Sequence, residues 1–174
     1  MSMDARGAFG GTIVFSGWKG RQTVRKLVTP SNPKSAGQET ARNAVKVLGA
    51  GQHWANTTAL KASGETLTDK ELLIAAAPSG QAWNGFLVKS GIGAGQIQYD
   101  AATSAYSALA AGEKTAWEDA AAALTPAIPA VAQTDAGGAA GTPLTDGEVF
   151  FHYAYGLYVA GIATVPGAVP PVYA

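Results

Sequence analysis

Apolar positions alternate with polar ones near the start of the chain and recur at helical spacing from about residue 35 onward. Thr12-Ile13-Val14-Phe15-Ser16 and the stretch 22–28 are rich in β-branched residues, which predicts two strands joined by Gly17-Trp18-Lys19-Gly20 as a hairpin loop. In the second strand Thr23, Arg25 and Leu27 face one way and Val24, Lys26 and Val28 the other, so neither face is purely apolar. A two-stranded hairpin is marginal in water by itself and needs a body or a partner to lie on. Thr29-Pro30-Ser31-Asn32-Pro33 then forms an extended or turned elbow, because each proline disfavours helical geometry in the residue before it.

Helices follow. Ser35 and Gln38 fit a capping box, with Ala41, Ala44, Val45 and Leu48 as the apolar stripe behind it. Gly49-Ala50-Gly51 predicts an end or a bend before Trp54. A second capping box at Thr68-Asp69-Lys70-Glu71 opens a helix that stops at Pro78. Ser79 is placed to cap the next, which carries Ala82, Trp83, Phe86 and Leu87. Gly91, Gly93 and Gly95 mark a loop, Asp100 starts a helix through Tyr106 and Leu109, and a helix over 113–124 turns Trp117 inward. Residues 125–143 are a Pro/Ala/Gly connector, and Thr145-Asp146-Gly147-Glu148 caps a last helix reaching about Gly161. Leu-Thr-Asp-x-Glu at both 67–71 and 144–148 fits a duplicated helical unit or, the favoured reading, one capping solution used twice independently.

The fold class expected is therefore mainly α: an N-terminal β-hairpin, five or six short helices and an extended C-terminal tail. By segments, 1–34 is a basic hairpin arm with its proline turn and 35–124 a helical body. The connector 125–143, the C-terminal helix 144–163 and the tail 164–174 complete the chain.

Charge changes this picture more than composition does. Of 174 residues, 47% are hydrophobic and only 14% charged, a surface suited to packing against neighbours. Residues 1–49 hold eight basic and two acidic side chains, and the rest of the chain four basic and ten acidic. The front is thus +6 and the back −6, which suits attraction within a chain, between copies, or to a polyanion. Lys19, Arg21, Arg25, Lys26 and Lys34 cluster around Trp18, and these six residues are the candidate partner-binding set. A basic ribbon can track phosphates, so DNA binding or a packaging role is the alternative reading. The acidic remainder opposes that alternative.

Candidate chemistry is sparse. The chain has no cysteine, which excludes disulfides and thiolate chemistry. The Gly91-x-Gly93-x-Gly95 run lacks the Lys-Ser/Thr of a phosphate loop and the spacing of a dinucleotide fingerprint. His53 and His152 belong to no ligand motif, no nucleophile elbow is present, and Glu118-Asp119 is expected on a solvated or intersubunit face. Trp54, Trp83 and Trp117 read as core anchors. Neither an enzyme nor a cofactor or metal is expected. The segment 1–6 lacks the apolar run of a secretory leader, and 149–163 is too short and polar to span a membrane.

The block Trp18-Lys19-Gly20-Arg21, Val24-Arg25, Val28, Pro30, Asn32-Pro33, Ser35, Gln38 and Arg42 resembles an N-terminal signature of a family of tailed-bacteriophage virion proteins. Ala116-Trp117-Glu118-Asp119-Ala120-Ala121 and 144–150 are similar to its later segments. The clear match covers about 35 residues. The resemblance implies a virion or phage-structural role without fixing head, neck or tail, and brings no catalytic residues. The expectation drawn is a non-enzymatic virion protein, decorating, minor capsid or head–tail connecting, made in the host cytoplasm. Its implied partners are capsid, portal or tail subunits and further copies of itself, with nucleic acid as second choice and no membrane.

Overall fold

A computed structural model describes residues 7–9, 13–18, 21–26, 28, 35–58, 61, 63–92, 96–124, 127–133, 141–163 and 166–173. The chain divides into two compact units, Met1–Pro33 and Lys34–Ala174. The first holds a three-stranded antiparallel sheet in the order β1 (Gly7–Phe9), β2 (Ile13–Trp18), β3 (Arg21–Lys26). The expected hairpin is β2–β3; β1 is an additional strand, pairing Phe9 with Ile13 and Gly7 with Phe15.

The second unit is helical: α1 (Ala36–Thr58), α2 (Asp69–Ala76), α3 (Trp83–Ile92), α4 (Gln96–Ser107), α5 (Ala111–Ala122) and α6 (Asp146–Val159). The architecture is mainly α, as the sequence pattern predicts. Its hub is α6, whose Val149, Phe150, Phe151, His152, Tyr153, Ala154 and Leu157 are all buried. A helix apolar all round belongs at the centre, and α1, α3, α4 and α5 all pack against it. Trp117 and Trp54 meet Phe150 edge-on at centroid distances of 5.2 and 5.5 Å. Trp83 is half-buried, with the Lys70 ammonium 5.9 Å from its ring centre. Removing a fully buried tryptophan such as Trp117 costs about 3–5 kcal/mol.

Local chemistry sets the helix ends. Thr68 and Thr145 each accept from the backbone N–H of Glu71 and Glu148, whose carboxylates accept in return from the threonine N–H. The far end of α6 closes on Gly161 at φ +76°: its N–H donates to Tyr158 and that of Ile162 to Leu157, a Schellman stop.

Several boundaries differ from expectation for identifiable reasons. Helix α1 neither ends nor bends into a stop at Gly49-Ala50-Gly51; it runs on to Thr58. A Cβ on Gly51 would lie 2.8 Å from Cγ and 2.9 Å from Cβ of Tyr153, so the glycine is what lets α1 and α6 meet closely. The buried stripe is accordingly Ala44, Val47, Leu48, Gly51, Trp54 and Ala55, and Val45 is half-exposed. Ser79 does not cap α3. It lies in a turn closed by Gln81 N–H on Pro78 C=O, and the helix opens at Trp83. Gly91 belongs to α3, where a Cβ would come within 3.1 Å of Gly156 Cα on α6; Gly93 and Gly95 lie outside the described residues. Helix α4 starts at Gln96, four residues before Asp100.

Candidate functional site

The sequence predicts one basic docking cluster of six residues: Trp18, Lys19, Arg21, Arg25, Lys26 and Lys34. Lys19 and Lys34 lie outside the described residues, and Trp18 and Arg21 are described in their backbone alone. Trp18 is not in a loop. It is the last residue of β2, directly opposite Arg21, the first of β3. Tryptophan favours a pleated strand, and the ladder continues through Gly17 and Gln22 to reach it.

The register sorts the cluster onto two faces. Trp18 pairs with Arg21 and Val14 with Arg25, so these four share one face, with Ser16 and Thr23 between them joined hydroxyl to hydroxyl at 2.8 Å. Lys26 pairs with Ile13 and Val24 with Phe15 on the other. Thr23, Val24, Arg25 and Lys26 are all exposed. Among the described residues β3 has a neighbour on one side alone, so its outer row of backbone N–H and C=O groups is open to a further strand.

The second candidate lies in the helical unit, where the tail is extended but folded back. Trp117 Nε1–H donates to Gly167 C=O at 3.1 Å, and Ser63 N–H to Val172 C=O at 2.7 Å. Tyr173 enters the aromatic core, its ring centre 6.0 Å from Trp54 and 5.9 Å from Phe150. Its hydroxyl donates to Asp69 Oδ2 at 2.8 Å, and Tyr153 reaches the same oxygen at 3.3 Å. Asp69 is 3% exposed. Burial pushes its carboxyl up to about 6; the two tyrosine bonds oppose that rise and Glu65 adds to it. Burial also raises both phenols well above the ordinary tyrosine range.

The two histidines are far apart in character. His53 is exposed on α1, whereas His152 is buried on α6, stacked on Tyr99 at 5.2 Å, and burial lowers it to about 4. Glu118 departs from its expected outward face. Its Oε2 accepts from Gly147 N–H at the start of α6 and its Oε1 from Tyr106 Oη–H, so it is an internal cap, while Asp119 is exposed. Among the described residues no three His, Asp or Glu side chains are grouped to hold a metal ion. No described helix is long and apolar enough to cross a membrane.

Asp69 is visible in the sequence only as the first residue after a helix cap. The signal for its burial is the tyrosine in the Pro-Pro-Val-Tyr tail, a residue that needs both an apolar seat and a hydroxyl partner. Compared with known proteins, the chain matches no family model, no curated protein and no solved structure.

Proposed function

We propose that this chain is a non-enzymatic structural protein of a tailed-bacteriophage virion, a decorating, minor capsid or head–tail connecting subunit that docks through its basic hairpin and its tail. The observation that supports this best is the edge strand β3. It carries Arg25 and Lys26 beside an exposed Val24, 60% accessible, with Val28 beyond it at 76%. No acidic residue occurs between Gly7 and Val28 to neutralise it. A strand that is basic, apolar and open along one backbone edge suits addition to a neighbour's sheet, where main-chain bonds give affinity and alternate side chains give choice of partner. Its positive charges also discourage pairing with its own copy.

Sedimentation of purified particles through gradients at low and high salt tests the reading. The protein should travel with the particles and stay with them as salt rises, because an apolar strand contact is weakly screened. Loss in step with salt, together with retention by free DNA, would favour the DNA-binding alternative, whose affinity falls with each counterion released.

A further inference from the structure

We propose that the groove holding residues 167–173 is an exchange site, filled in an assembly by the same segment of a neighbouring copy. The occupant is fixed by complementarity: the chain's own tail is seated there. Its grip has three points, at Gly167 C=O, Val172 C=O and the Tyr173 hydroxyl. Each partner, Trp117, Ser63 and Asp69, belongs to the helical unit, so a tail from another chain can make the same bonds as its own.

Between those points the tail is loosely packed. A cavity of about 240 Å³ lies on one flank, lined by Leu72, Leu157 and Ile162, and one of about 200 Å³ on the other, against Ala120 and Leu124. Lifting the tail therefore widens these clefts, and the core contact it undoes is that of the Tyr173 ring with Trp54 and Phe150. Val169 and Val172 on its outer side are 81% and 69% exposed. The seat itself is expensive to leave empty, since Asp69 would lose a hydroxyl donor and Trp54 and Phe150 an aromatic neighbour.

Those two facts together favour exchange over release. Placing an identical segment in trans restores every bond and ring contact, so the cost is that of association and of redirecting the chain beyond the Schellman stop at Gly161. In a closed ring each copy gives one tail and receives one, and the local concentration of tails offsets the association term. The inference builds on the reading of the tail as a contact arm.

Cysteine scanning tests it cleanly because the chain has no cysteine of its own. Ser63 and Val172 are both exposed and adjacent across the 2.7 Å bond, so neither substitution disturbs the core. Full-length Ser63→Cys and Val172→Cys chains, mixed and oxidised at rising concentration and in assembled particles, should form a disulfide between positions 63 and 172 of different chains, identified by peptide mapping. An excess of a synthetic 164–174 peptide should suppress it. Two results overturn the proposal: a double variant that bridges within one chain under every condition while the mixture gives no 63–172 bridge, or no bridge in either. Particles that contain the protein with intrachain bridges alone sink the exchange and leave the virion reading standing. Interchain bridges in a protein absent from particles do the reverse.

Discussion

The hydroxyl of Tyr173 donates to Oδ2 of Asp69 at 2.8 Å, and through that oxygen, shared with Tyr153, the tail is tied to the first turn of α2 and the middle of α6. Tyr173→Phe keeps the ring against Trp54 and Phe150 and removes the donor. It should lower stability by about 1–3 kcal/mol, the cost of leaving a buried charged acceptor short of one bond. Urea unfolding at pH 7 measures it. An unchanged midpoint would mean that the tail does not hold Asp69 in solution.

Two buried groups give opposite pH responses over the same range. Asp69 titrates near 6 in the fold against 3.8 ordinarily, so the native state holds the extra proton and its contribution to stability falls as pH rises from about 4 to 6. His152 titrates near 4 against 6.5, so the unfolded state holds the extra proton and its contribution falls as pH drops over nearly that window. Each shift of about two pH units corresponds to roughly 3 kcal/mol. Relative to the unaltered chain, Asp69→Asn should lose stability on acidification from pH 6.5 to 4, and His152→Phe should gain it. Unfolding midpoints across that range check both signs.

Two neighbouring glycines of α1 should respond oppositely to the same change. A methyl group added at Gly49 would meet nothing within 4 Å, so Gly49→Ala should stabilise by about 0.5–1 kcal/mol through helix propensity. Gly51 meets the fully buried Tyr153 ring, and Gly51→Ala should destabilise by about 1–3 kcal/mol in spite of the same propensity gain. Thermal unfolding of the two variants decides the matter.

That contrast also explains what the sequence could and could not reveal. The caps at Thr68/Glu71 and Thr145/Glu148 were legible because the bonds they make are local. The length of α1 was not, because propensity counts Gly51 as a weak point while tertiary contact with Tyr153 makes its smallness an asset. The inward turn of Glu118 and the burial of Asp69 were not legible for the same reason. Their partners lie far along the chain, Tyr106 and Gly147 at 12 and 29 residues from Glu118 and Tyr153 and Tyr173 at 84 and 104 from Asp69, and no local spacing rule reaches that far. In the hairpin the basic cluster was legible as a composition, but its division between two faces needed the register that places Trp18 opposite Arg21.

The register makes the proposed docking through β3 testable by charge reversal. Arg25 shares a face with Trp18 and Arg21, and Lys26 does not. Docking through the exposed Val24 and Val28, which share the Lys26 face, should make Lys26→Glu the more damaging change, cutting incorporation into particles by tenfold or so, the equivalent of about 1.4 kcal/mol. Arg25→Glu should be milder. The reverse order would place the contact on the Trp18 face.

Counting the protein in purified particles by quantitative mass spectrometry tests the virion reading most directly. The expected result is a fixed copy number per particle that survives a high-salt wash. Absence from particles, or a copy number that falls with salt alongside DNA content, would contradict it.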